Sequence, residues 1–197
     1  MVTGETDPDV NVGKVNIPGS TTGFGGPYIT AFGATDIASW DGFVQYDNTL
    51  DLSADAQMNL LLHEMGHALG LDHPNGDANS ENNRTTVMSY VDNPDNGMRS
   101  DGMQKYDMYA LQDIWGAASN NTGSTKYTGA RNDTVETVWD SGGTDVFDAT
   151  GKGTAVRLDL RQGYYSNFDS VRDVAIAYGT KIENAKGGAK RDTLLGN

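Results

Sequence analysis

Three histidines, the only ones in the chain's 197 residues, fall inside one short stretch: His63-Glu64-Met65-Gly66-His67-Ala68-Leu69-Gly70-Leu71-Asp72-His73. On a helix, positions i and i+4 share a face about one turn apart, so His63 and His67 can point at a single ion. Imidazole is a borderline ligand that suits Zn2+, and three neutral ligands leave the ion a strong Lewis acid with an open position. Glu64 lies about 100° round the helix from His63 and need not ligate. It can instead take a proton from an activated water and pass it to a leaving amine. Gly70 lets the chain leave the helix through a left-handed turn, which swings His73 back toward the same ion. A bare HExxH is as often packed or solvated helix histidine as metal site. The filled pattern HExxHxxGxxH, with no histidine elsewhere, favours the metal.

The elements that must hold these residues can be read from spacing. Met58, Leu61, Leu62, Met65 and Leu69 recur at intervals of three and four, which predicts an amphipathic helix over 54–69. Ser53 is placed to cap it, Asp55 suits the dipole in its first turn, and Gly70 stops it. A second helix is expected from about 103 to 115, with Tyr106, Tyr109, Ala110 and Ile114 on one face and Gly116 closing it. Segments 10–17, 28–32 and 43–46 read as short strands between Gly and Pro punctuation. After Gly116 the chain becomes small and polar, and 135–139, 155–160 and 174–178 read as strands between Gly-rich turns. These shifts divide a mixed region, 1–118, from a β-rich one, 119–197.

Composition narrows the partners. The 27 acidic residues outnumber 14 basic ones, for a net charge of −13, which argues against nucleic acid and anionic lipid and leaves cation binding open. No apolar run is long enough to span a membrane. The absence of cysteine excludes disulfides and thiolate metal sites, so metal ions are the available staples. Met1–Glu5 has neither a basic nor an apolar leader region. That fits an intracellular protein, a leader already removed, or export without an N-terminal signal.

The extended motif is followed by Pro74 and, downstream, by Val87-Met88-Ser89-Tyr90. Together they resemble a metzincin metallopeptidase with its Met-turn, and the Pro and Met-Ser-Tyr are most similar to the serralysin family. The resemblance implies an α+β fold: a zincin-like catalytic domain with a twisted mixed sheet and an active-site helix, then a β-rich calcium-binding segment. It places Met88 as a hydrophobic floor beneath the histidines. It makes Tyr90 a further zinc ligand that swings off when substrate binds and then donates to the oxyanion, a role that suits a phenol. Taken alone, Met88 and Tyr90 would more often be core residues. Asp113-Ile114-Trp115-Gly116 resembles the end of the helix that closes the family's catalytic domain.

Past residue 119, Trp139-Asp140-Ser141-Gly142-Gly143-Thr144-Asp145 and Ile182-Glu183-Asn184-Ala185 look like the start of the family's calcium-binding β-roll. Carboxylates alternating with exposed carbonyls supply the six or more oxygens that Ca2+ takes. The resemblance implies that Asp140, Gly142, Gly143, Asp145 and Glu183 share two ions, with Lys181 giving its carbonyl and Gly123 and Thr125 further oxygens. By spacing alone, 140–145 is more often a solvated hairpin turn. Asp92–Gly97 imitates an EF-hand start, but Pro94 and Met103 occupy ligand positions. Two departures stand out. Gly187–Leu194 is one worn copy of a G-G-x-G-x-D repeat, with Lys190 at a glycine position. About 52 residues precede the active-site helix, so the family's first helix and early strands are expected to be shortened or missing.

The resulting expectation is a secreted, extracellular, monomeric zinc endopeptidase that uses Zn2+ and Ca2+. It would take protein or peptide substrates along an edge strand near 28–32 and be open to a proteinaceous inhibitor. One rival is a calcium-dependent binding or structural module whose zinc site is kept but inactive. Another is a metalloenzyme acting on something other than peptides.

Overall fold

The computed structural model describes residues 9–32, 36–76, 80–131 and 134–197. It is a mixed helix and sheet protein with few helices and several small sheets, and it divides into two compact units, Met1–Pro74 and Asn75–Asn197. The compact units therefore part at Pro74, upstream of the compositional change at 118/119, because the segment from Asn75 to Trp115 folds with the β-rich part.

In the first unit, β1 (Val10–Val15), β2 (Gly23–Phe32) and β3 (Asp36–Asp47) form a sheet in the order β1-β3-β2. β1 runs parallel to β3 and β2 antiparallel to it, with a register shift between Thr30 and Ala31. One 3-10 turn, Asp55–Gln57, leads into α1 (Met58–Ala68). The expected 54–69 segment is thus helical but not one continuous α-helix. Ser53 does not cap it: its hydroxyl donates to Asp51 Oδ1 at 2.6 Å, and no side chain caps either helix start. Gly70 takes φ +96°, the left-handed turn expected of it. The small core is Val44, Tyr46 and Ala68, against which Val10, Leu52, Leu60, Leu61 and Met65 pack. Met58, expected on the apolar face, is instead 40% exposed.

Among the described residues the second unit contains α2 (Lys105–Trp115) and eight short strands. These are β4 (Lys126–Tyr127), β5 (Glu136–Val138), β6 (Val146–Asp148), β7 (Arg157–Asp159), β8 (Tyr165–Ser166), β9 (Val174–Ile176), β10 (Asn184–Lys186) and β11 (Thr193–Leu195). They build three sheets, β10-β6-β4, β11-β7 and β5-β9-β8. Among the described residues these strand pairings are parallel except β8 with β9, and one isolated antiparallel bridge joins Arg157 to Asn167. Inward residues of the strands, among them Val138, Phe147, Leu158 and Ile176, join Phe168 and Ile182 from the connecting turns in one apolar core.

Candidate functional site

α1 carries His63, Glu64 and His67, of which His63 and Glu64 are buried, and the turn at Gly70 returns His73 to them. His63 Nε2 and His67 Nε2 each stand 3.1 Å from His73 Nε2. Tetrahedral zinc ligands at about 2.0–2.1 Å lie about 3.3 Å from one another, so the three nitrogens fit such an ion closely. His67 Nδ1 lies 2.9 Å from the Leu71 carbonyl. That contact puts the proton on Nδ1 and leaves the Nε2 lone pair free for a metal, the usual role of a carbonyl behind a ligating imidazole. Burial pushes the His73 pKa down, and the neighbouring His67 adds to this, so the ring favours the neutral form that ligates. Among the described residues, this triad is the one group of three or more His, Cys, Asp or Glu whose donor atoms all lie within 4.8 Å of one another.

Glu64 is 6% exposed, and burial raises its pKa, while His67 and a backbone hydrogen bond from Gly25 pull it back down. A carboxylate raised toward neutrality is a better proton carrier. Its seat is made by β2. A Cβ at Gly25 would strike the Glu64 carbonyl oxygen and stand 3.0 Å from its carbonyl carbon, and one at Gly23 would lie 3.1 Å from Glu64 Cγ. Only glycine lets α1 lie this close to the strand. Sequence reasoning missed both residues, although the Gly-Phe-Gly-Gly run was the available signal. Gly25→Ala should destabilise the chain by about 1–3 kcal/mol through overpacking. Gly26→Ala, whose added carbon would meet only the Phe43 ring at 3.5 Å, should cost much less. Denaturant midpoints of the two variants check this.

Met88 and Tyr90 belong to the second unit, where Met88 is 2% exposed and Tyr90 is 64% exposed. Their turn is pinned by a residue that the sequence reading passed over, Asp107 in the first turn of α2. Asp107 accepts hydrogen bonds from Thr86 Oγ1 at 2.5 Å, Val87 N at 2.8 Å and Gln104 N at 2.8 Å. Thr86 Oγ1 in turn accepts from Met88 N at 3.0 Å. The Gln104/Asp107 spacing of a capping box was the signal for it. Burial pushes the Asp107 pKa from 3.8 to about 6, against the pull of those three hydrogen bonds. A carboxyl raised on folding keeps its proton longer in the folded chain than in the unfolded one. Its contribution to stability therefore falls as pH rises from about 4 through 6, by roughly 3 kcal/mol. Asp107→Asn should flatten that part of the stability curve, measured as urea midpoints across this range.

The eight residues expected around calcium come together in the second unit. Asp140 and Asp145 are each 1% exposed. Asp145 N donates to Glu183 Oε2 at 2.8 Å, and Asp145 Oδ1 accepts from Thr125 N at 2.7 Å. Thr125 Oγ1 donates to the Gly123 carbonyl at 3.1 Å, and Gly142 N to Asp140 Oδ1 at 3.0 Å. Gly143 has φ +126°, and a Cβ there would strike Gly123. Lys181 Nζ sits 3.5 Å from Glu183 Oε1. Asp145 Oδ2 is buried with no hydrogen-bond partner. Burial raises the Asp145 pKa, and the charges of Asp140 and Glu183 raise it further. A buried, unpartnered carboxylate oxygen beside two more carboxylates is costly unless a cation joins them, so this donor set fits Ca2+.

Comparison with known proteins bears on the second unit first. Residues 105–197 match the family described as Peptidase M10 serralysin C terminal. Over this stretch the chain is therefore similar to a serralysin C-terminal region. Over a longer span the chain is 31% identical to serralysin G of Dickeya chrysanthemi across 191 residues, which covers 81% of this chain and 40% of that protein. It is 34% identical to the serralysin of Proteus mirabilis across 171 residues, 70% of this chain and 35% of that protein. It is also 32% identical to metalloprotease AprA of Pseudomonas entomophila across 188 residues, 76% of this chain and 39% of that protein. The chain thus spans two fifths or less of the length of these relatives. No described helix is long and apolar enough to cross a membrane.

Proposed function

We propose that this chain is a secreted, serralysin-like zinc endopeptidase with a metzincin catalytic part over 1–118 and a calcium-binding part over 119–197. The observation that carries the reading is the convergence of three Nε2 atoms beside a buried glutamate on one helix. His63, His67 and His73 would hold Zn2+, which supplies Lewis-acid polarisation of the scissile carbonyl and of water. Glu64 takes the proton of the attacking water on its carboxylate and returns it to the departing amine nitrogen. Desolvation raises the proton affinity of that carboxylate, which favours the first transfer. Tyr90, by its place in the Met-Ser-Tyr turn, is assigned a fourth ligand role at rest and the oxyanion donor during reaction. Asp140, Gly142, Gly143, Asp145, Lys181, Glu183, Gly123 and Thr125 are assigned to Ca2+.

Metal analysis joined to a peptide cleavage assay tests the reading. The chain should hold about one tight Zn2+ and cleave peptides, and His67→Ala should lose both, since no cysteine or other histidine can replace the ligand. Undiminished zinc binding in that variant would sink the assignment. Because the family match itself covers 105–197, a calcium-dependent module with an inactive zinc site is the second reading. Zinc bound without any cleavage would favour it.

A further inference from the structure

β2 lies at the edge of its sheet, and among the described residues it pairs with β3 alone. The ladder shows which of its backbone groups face outward. Asp47 N donates to Thr22 O at 2.9 Å, and Gly42 N, opposite Pro27, donates the other way to Asp9 O at 2.6 Å. Thr22, Phe24, Gly26 and Tyr28 therefore turn their backbone groups to β3, while Gly23, Gly25, Pro27 and Ile29 turn theirs to the free edge. Two of these outward positions lack a free donor. Pro27 has no N–H, and the Gly25 N–H is engaged with the Glu64 carboxylate. Beside the histidine site, then, the edge offers two successive carbonyl acceptors. Counted from Gly25 toward the C-terminal end of β2, the first complete donor–acceptor pair is at Ile29.

We propose that Pro27 sets how an extended peptide substrate seats on this edge. The peptide gives its N–H groups to the carbonyls of Gly25 and Pro27 and closes a full ladder pair only at Ile29. The inference rests on the endopeptidase reading. The occupant is a peptide because the edge is continuous with Glu64, whose backbone lies against Gly25. Such an edge selects extended segments with free N–H groups at both facing positions, and it rejects proline or an N-alkylated residue there. A proline on an edge strand can also serve only to prevent edge-to-edge association, and the experiment separates that role.

The test uses the full zinc-loaded chain and one extended peptide substrate. Pro27→Ala restores an outward N–H, so KM should fall about three- to tenfold, the scale of one added backbone hydrogen bond, with the gain confined to KM. In Glu64→Ala chain, which leaves the peptide uncut, saturating peptide should slow hydrogen exchange at the Ile29 amide. The same peptide N-methylated at the residue facing Pro27 should bind more weakly. An unchanged KM in Pro27→Ala, with or without new self-association, would overturn the proposal, as would an Ile29 amide indifferent to peptide. If the unaltered chain holds zinc but cuts nothing, the endopeptidase reading falls and takes this inference with it.

Discussion

Glu64→Ala is expected to cut peptide turnover by several orders of magnitude while zinc stays bound, because none of the three nitrogens assigned to zinc is touched. Glu64 is the one buried carboxylate on the helix that carries His63 and His67. Without it, the proton of the attacking water has no acceptor in place and the leaving amine has no donor. Tyr90→Phe should cost less, roughly one to three orders, which is the scale of losing one oxyanion donor. Initial rates with a quenched-fluorescence peptide, measured alongside zinc content, separate the two roles. Equal damage from both substitutions would contradict the role given to Tyr90.

The second large effect is expected from calcium. Asp140, Asp145 and Glu183 lie together with one carboxylate oxygen of Asp145 buried and unpartnered, and the pairing of Asp145 with Glu183 closes a long loop. A cation that binds only the folded arrangement stabilises it by mass action, about 2.7 kcal/mol at a hundred times its dissociation constant. Millimolar calcium should therefore raise the melting temperature, and Asp145→Ala should abolish most of the rise. Hydrogen exchange in a chelator too weak to strip zinc should show residues 120–197 loosening before the histidine region. A melting curve indifferent to calcium would reduce this cluster to a self-satisfied turn.

The histidine site was readable in the sequence because one helix and one glycine turn suffice to build it. Ligand spacing maps directly onto geometry when the ligands sit on the same element. The cluster proposed to hold calcium was readable only through family resemblance, since its residues come from three separate segments and no periodicity links them. Ser53 misled because Asp51 competes for its hydroxyl, a local choice that favours a turn over a cap. β2 ran longer than expected because Gly23, Gly25 and Gly26 erase the alternation that marks a strand. The same glycines proved to be the seat of Glu64, so the lost signal and the function have one cause. Asp107 escaped notice because its partners, Thr86 and Val87, lie about twenty residues away, beyond any helical period.

The parallel pairings of the second unit also shape how it can reach its native state. β4 with β6, β10 with β6, β11 with β7 and β5 with β9 join strands of two or three residues that are well separated along the chain. A strand of that length gains little from its own pairing, while each closure costs chain entropy before any contact rewards it. Such a topology has high contact order, so its assembly is expected to be slow and concerted, with no single ladder stable ahead of the rest. The first unit has one such parallel pairing, β1 with β3, beside a local antiparallel pair and an adjoining helix, so it is expected to assemble faster. Refolding from denaturant should therefore show two kinetic phases, the slower of them reporting on the core around Phe147 and Phe168.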